Sequence, residues 1–242
     1  MKTVVIIQAR MGSNRLPGKV LMDIAGRPMV AHVHDRVARA EKIDRVVVAT
    51  TVEEIDTPLA GFCSSQGWCC FRGSHEDVLD RYYQAACKYQ ADVVVRVTAD
   101  CPLIDPGVID QVVGEFQSQQ PTVDYASNTL EPRTFPRGLD VEVFKFASLE
   151  RAWREATDSA CREHVTPYFY RSPDVFQLLA VRAKTVESAQ RWTVDTPEDL
   201  QLIRSLFEHL AAEMSGWQSV LAMVQQRPEL AAINAHIQQK VA

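Results

Sequence analysis

Uninterrupted apolar runs, separated by stretches with helical periodicity, restrict this chain to few folds. Thr3-Val4-Val5-Ile6-Ile7 and Asp44-Arg45-Val46-Val47-Val48-Ala49-Thr50-Thr51 lack the polar alternation of a half-solvated strand. Runs of that kind belong to strands buried on both faces, as in a parallel sheet covered by helices. Trp68-Cys69-Cys70-Phe71 and Ala91–Thr98 repeat the pattern. Between the runs, Val30, Val33 and Val37 form one apolar helical face after Pro28, and further helices are expected over about 76–89 and from Pro106. Strands and helices alternating in this way predict an α/β fold with a doubly wound, mostly parallel sheet.

The pattern changes after about residue 120. Strand-like pieces at Asp124–Asn128 and Leu139–Phe144 flank a connection rich in Pro and Arg, Glu131 to Gly138. Helices over 147–170, a strand near 175–183 and a short apolar strand at Trp192–Asp195 follow. Thr196-Pro197-Glu198-Asp199 then pairs an N-cap with Pro in the first turn and opens a helix to about Ala212. No repeat or linker interrupts the chain. We expect one domain over 1–242, with a small inserted substrate lobe at about 121–172 and a helical tail from about 215.

The loop after the first strand carries the strongest chemical signal. In an open α/β sheet the carboxyl edge is where ligands bind. There the chain places Gln8-Ala9-Arg10-Met11-Gly12-Ser13-Asn14-Arg15-Leu16-Pro17-Gly18-Lys19, with three cations and two glycines. Arg10, Arg15 and Lys19 suit a triphosphate, and glycine allows close backbone approach. The string is not a Walker loop, because Lys19 is followed by Val20.

Bulk properties narrow the classes. A net charge of −5 argues against nonspecific nucleic-acid binding, which needs a basic face. The apolar run at Val4–Ile7 is too short for a signal-peptide core or a membrane span. Six cysteines show no C-x-x-C pair and no zinc spacing, so reduced thiols and a cytoplasmic protein are expected. His32 and His34, two apart on a helix, point in different directions and make a poor metal pair.

Two aspartates end apolar runs at the sheet edge. Asp100 follows the strand ending at Thr98, and Asp195 closes Trp192-Thr193-Val194. A carboxylate beside phosphates repels them unless a cation intervenes, and Mg²⁺ takes one or two protein carboxylates with phosphate and water. Either residue could instead cap its loop or the helix that follows.

The string from Ala9 to Lys19 resembles the A-R-x-x-S-x-R-L-P-G-K loop of sugar-activating nucleotidyltransferases, notably the CMP-sugar-acid synthetases and SpsF-type spore-coat polysaccharide proteins. Thr98-Ala99-Asp100-Cys101-Pro102-Leu103-Ile104-Asp105 resembles the D-x-P-L-I-D segment of CMP-Kdo synthetases, and Val194-Asp195-Thr196-Pro197-Glu198-Asp199-Leu200 their D-T-P-E-D-L. The resemblance implies a Rossmann-like nucleotide-diphospho-sugar transferase fold and a cytidylyltransferase that joins CTP to a sugar acid and releases pyrophosphate. It implies that Asp100 and Asp195 hold Mg²⁺, that Arg10, Arg15, Lys19 and Asp100 are catalytic, and that Ala9 to Ser13 and Lys19 bind the nucleotide. Thr50, Thr51 and Ser74 stand where the family reads the base, and Asp80-Arg81 resembles the close of its S-G-T-D-R segment.

Gly138-Leu139-Asp140-Val141-Glu142-Val143-Phe144 resembles the family's G-x-D-x-E-V-F strand. With it come Asn128, Arg137, Asp140 and Glu142 as substrate residues. Arg133 and Arg137 could pair with an acceptor carboxylate, or with Glu131 and Asp140. The family implies a homodimer, for which 160–172 and 217–242 offer surfaces, and a role in surface-polysaccharide synthesis. Thr98-Ala99 stands where the CMP-Kdo synthetases have Gln-Gly, so GTP or UTP as donor, a glycosyltransferase of this fold, and a nucleotide-binding scaffold are the alternatives.

Overall fold

Val4 and Ile6 turn to one side of the central strand, Val5 and Ile7 to the other, and each pair anchors its own apolar cluster. That two-sided burial is the core of the molecule, and it requires helices on both faces. The computed structural model describes residues 1–209 and 216–238. The expected end of the eighth helix at Ala212, and residues 239–242 of the tail, lie outside the described residues.

The chain opens with β1 (Thr3–Gln8), followed by a hairpin of β2 (Asp23–Ile24) and β3 (Arg27–Pro28) and by α1 (Met29–Val37). Next come β4 (Arg45–Thr51), α2 (Thr57–Ser65), β5 (Cys69–Gly73), α3 (Val78–Tyr89), β6 (Val93–Thr98) and α4 (Pro106–Ser118). The second half contains β7 (Tyr125–Ser127), β8 (Glu142–Lys145), α5 (Phe146–Glu155), α6 (Ser159–His164), α7 (Pro167–Tyr170) and β9 (Leu178–Ala180). It ends with α8 (Pro197–His209), α9 (Trp217–Gln226) and α10 (Pro228–Ala232).

The main sheet has seven strands in the order β5-β4-β1-β6-β8-β7-β9. β1, β4, β5 and β6 pair in parallel, and β8 alone runs against its neighbours β6 and β7. The order reverses direction at β1, so the crevice beyond β1 and β6 is the switch point of the sheet. Residues from α1, α2, α4, α8, α9 and α10 pack on the Val5–Ile7 side; residues of α3, α5 and the α6–α7 segment pack on the Val4–Ile6 side. Residues 121–172 therefore extend the sheet through β7 and β8 and cover one face through α5 to α7.

Two strand expectations shift. The piece expected from Leu139 becomes regular only at Glu142, because side chains claim the preceding backbone. Asn128 Nδ2 donates to Leu139 O (2.7 Å), and Val141 N donates to Asn128 Oδ1 (2.9 Å). Trp192–Asp195 forms no ladder beyond one bridge between Arg137 and Arg191; Trp192 and Val194 are buried by packing. All six cysteines are free, with Cys63, Cys101 and Cys161 buried and Cys87 exposed.

Candidate functional site

A cleft of about 730 Å³ opens beyond the carboxyl ends of β1 and β6. The cationic loop forms one wall, residues 129–142 another, and the turn between α6 and α7 a third. The loop owes its shape to Met11 and Gly18. Met11 O accepts from Ser13 N (2.9 Å) and Gly18 N (2.8 Å), and Gly18 takes φ +72°, a left-handed conformation that suits glycine. Met11 N in turn donates to Asp56 Oδ1 (2.6 Å), and the same buried carboxylate accepts from Thr51 N (3.3 Å) and from the Thr51 hydroxyl. Asp56 thus fastens the loop after β1 to the end of β4.

The three loop cations differ in their commitments. Lys19 is buried, and its Nζ donates to Asp100 Oδ2 (2.9 Å), Asp195 Oδ1 (2.9 Å) and Val194 O (2.7 Å). Burial alone would lower the Lys19 pKa, but the charges of Asp100 and Asp195 outweigh it and raise the value. Burial would likewise raise Asp100, yet the ammonium and its hydrogen bonds hold that carboxyl below the usual range. Arg15 is exposed and pairs with Asp195 Oδ2 at 3.2 Å. Arg10 lines the cleft, and its guanidinium makes no hydrogen bond or ion pair with any described residue.

Asp195 is held from behind. Thr196 and Asp199 form a reciprocal cap at the start of α8: Thr196 N donates to Asp199 Oδ2 (3.1 Å), and Asp199 N to Thr196 Oγ1 (3.3 Å). Asp199 also accepts from Asp195 N (3.0 Å) and from Arg191 Nε (2.9 Å) and Nη2 (2.8 Å).

The acceptor-side residues divide into structural and available groups. Glu142 lies at the cleft floor but is committed: it pairs with Arg96 and accepts from Tyr125 Oη (2.5 Å). Asp140 is paired with Arg133, which also donates to Phe135 O (3.0 Å) and Pro136 O (2.8 Å). Asn128 is fully buried with both ends of its amide used, so it stands behind the wall as a clamp. Arg137 lines the cleft, and its guanidinium makes no hydrogen bond or ion pair with any described residue. Burial, then the neighbouring Arg133, lowers its pKa.

The base-side candidates lie apart from the cleft lining. Thr50 and Thr51 are buried at the end of β4, and Arg81 is buried under Gly73 and donates to Ser74 O (2.6 Å). Ser74 Oγ accepts from Asp77 N (3.0 Å), while Asp77 is the N-cap of α3. Asp80 faces α5, accepting from Trp153 Nε1 (2.9 Å), which takes it out of the site. Met11 packs against the apolar core and Gly12 lies in the turn, whereas Ala9, Ser13 and Lys19 line the cleft. Thr50 Oγ1, Arg81 Nε and Arg81 Nη2 are buried without a hydrogen-bond partner among the described residues. Unmade bonds of that kind cost about 1–3 kcal/mol each and are usually completed by a ligand or water.

One wall comes from the polar cluster Cys161–Thr166, for which the sequence left a sugar-facing surface and a dimer surface open. Val165, fully buried, has φ +72° and ψ −55°, a conformation a β-branched residue adopts only under strain. The kink ends α6 and brings His164, Thr166 and Tyr170 to the cleft. Asp56, Arg96 and Asp199 also carry the site from below. Of these only Asp199 had a local signal, the acidic third position after an N-cap Thr.

Comparison with known proteins gives this cleft its kin. A model of the cytidylyltransferase family matches residues 4–227. Spore coat polysaccharide biosynthesis protein SpsF of Bacillus subtilis is 33% identical over 84% of this chain and 85% of its own. The 3-deoxy-manno-octulosonate cytidylyltransferase of Geobacter sulfurreducens is 30% identical over 79% of this chain and 84% of its own. The solved structure of a cytidylyltransferase from Leptospira borgpetersenii superposes with a TM-score of 0.92 at 31% identity, covering 100% of this chain and 99% of that one. No described helix is long and apolar enough to cross a membrane. A cationic loop after β1, two aspartates on the cleft at the carboxyl edge of the sheet and a sequence match running almost the length of the chain agree: this protein is a nucleotidyltransferase and belongs to the cytidylyltransferase family.

Proposed function

We propose that the enzyme transfers CMP from CTP to a sugar acid, with Mg²⁺ as cofactor, in surface-polysaccharide synthesis. The observation that carries this reading is the Lys19 ammonium 2.9 Å from both Asp100 and Asp195 on the cleft that Arg10 and Arg137 line. Two carboxylates gathered about one cation are a donor set that suits Mg²⁺. Asp100 and Asp195 would hold it, and bound there it would neutralise phosphate charge and polarise the α-phosphate.

The chain's own residues do the rest. Arg10 and Arg15 meet the β- and γ-phosphates, and Lys19 moves its charge toward pyrophosphate as that group departs. Ala9 on the cleft wall meets the base; Thr50 and Arg81, fully buried behind that wall, and Ser74, whose carbonyl accepts from Arg81, support it from outside the cleft. Arg137 takes the acceptor carboxylate, a charge-assisted pair suited to a guanidinium with no protein partner. His164, Thr166 and Tyr170 offer neutral hydrogen-bonding groups to sugar hydroxyls. The reading includes a cytoplasmic enzyme acting as a homodimer. The names of the relatives, one of them acting on a sugar acid and one in coat polysaccharide synthesis, support the substrate class.

The test is pyrophosphate release with each of CTP, GTP, UTP and ATP, a panel of sugar acids, and Mg²⁺. CTP-selective release that needs an acid acceptor and falls at least a hundredfold in Asp100→Asn is the expected result. Release selective for GTP or UTP would overturn the donor assignment, and release with neutral sugars alone the acceptor assignment.

A further inference from the structure

The C-terminal tail reaches the back of Asp195. After α10 the chain turns and buries Asn234, which is 5% exposed. Asn234 Nδ2 donates to Asp199 Oδ1 (2.9 Å) and to Arg191 O (3.0 Å). Asp199, itself fully buried, grips Arg191 through Nε and Nη2, and Arg191 Nη2 also donates to Asp195 Oδ2 (3.1 Å). Four residues therefore connect the tail to the carboxylate on the cleft, and three of them are shielded from solvent. Buried hydrogen bonds of this sort fix one geometry, because any other leaves a polar group unpaired.

The family match ends at residue 227, before Asn234, whereas the Leptospira structure overlays the whole chain. Only the last member of the relay, Asn234, thus lies beyond the residues that the family model matches. The tail also packs through apolar groups, with Trp217 against Phe135 and Leu230 in the core cluster. Packing would hold the tail in place without the amide. The amide does something packing does not: it holds the Arg191 carbonyl and the Asp199 carboxylate, and Asp199 in turn holds the guanidinium that pairs with Asp195.

We infer that Asn234 is a positioning residue for Asp195, so that the tail sets the affinity of the site for a divalent cation through Asp199 and Arg191. The inference rests on the proposed role of Asp195 as a metal ligand. Outer partners of metal ligands commonly contribute ten- to hundredfold in affinity, and a partner one step further out contributes less.

The experiment measures Mn²⁺ binding to the enzyme with CTP, by electron paramagnetic resonance of the free ion, alongside thermal unfolding. The proteins are the parent, Asn234→Ala, Leu230→Ala and Asp195→Asn. Asn234→Ala should weaken Mn²⁺ about three- to tenfold, while Leu230→Ala, which loosens the tail without touching the relay, stays within about twofold of the parent. Should Asn234→Ala fail to fold, Asn234→Leu keeps the volume, removes the donor to Asp199 without burying a charge, and should show the same loss. Equal Mn²⁺ affinity in the Asn234 and Leu230 variants overturns the relay. Parent-like affinity in Asp195→Asn overturns the ligand assignment first, and the relay falls with it.

Discussion

Lys19 Nζ lies 2.9 Å from Asp100 Oδ2, so the last cation of the loop after β1 stands between two carboxylates that would otherwise repel each other. On the proposed function, the ammonium and a divalent cation would be alternative partners for the same oxygens. Lys19→Met should cost roughly 2–4 kcal/mol in metal-free buffer, somewhat less than breaking a fully dry pair. Mg²⁺ should raise the melting temperature of this variant more than that of the parent. Denaturation with and without Mg²⁺ checks this; an equal response from both proteins rules out the competition.

Arg137 and Glu142 both line the cleft, but only Arg137 has its charge to spare. Arg137→Ala should raise the KM for a sugar acid about ten- to hundredfold, the worth of a charge-assisted hydrogen bond. The KM for CTP should move less than about threefold. Steady-state kinetics with each substrate varied separately decides the point.

Gly138 has φ +98°, and a Cβ there would lie 2.6 Å from the carbonyl carbon of Trp192. Contact and conformation both oppose a side chain, so Gly138→Ala should lose at least about 2 kcal/mol. That corresponds to a fall of roughly 4–8 °C in Tm for a domain of this size. Gly12→Ala, whose Cβ would meet open space, is the control and should stay within about 1 kcal/mol.

His32 and His34 both have lowered pKa values, chiefly through burial. The folded protein therefore favours their neutral forms, and the unfolded chain binds more protons as pH falls below its ordinary value of about 6.5. Stability should be flat above that pH and decline as pH drops through it toward the folded values. His34, stacked on Trp68 with ring centroids 3.8 Å apart, is the better probe. Melting curves from pH 5 to 8 should be flatter for His34→Gln; identical slopes would refute the assignment.

The sheet and the cationic loop that lines the cleft were legible because their signals are local. An apolar strand runs straight into Ala9-Arg10 and the loop that ends at Lys19, and Asp100 and Asp195 each follow an apolar run. Asn128, Glu142 and Asp80 have the same polar character in sequence, yet the fold uses them to satisfy Leu139 O, Arg96 and Trp153. A side chain that serves a distant carbonyl reads no differently from one awaiting a ligand. Asp56 and Asn234 were invisible for the same reason, since the groups they hold, Met11 N and Asp199, are far along the chain. Val165 carried no signal at all: a β-branched residue predicts an extended backbone, and tertiary packing imposes the kink.

With the proposed triphosphate as ligand, the unequal commitments of Arg10, Arg15 and Lys19 would order their engagement. Arg10 has nothing to release, so it can capture an incoming anion at no exchange cost and makes the first contact. Arg15 must give up one exposed pair, and Lys19 must leave two carboxylates and a carbonyl. On that reading the deepest cation would engage last, and only for a ligand that brings a replacement charge with it.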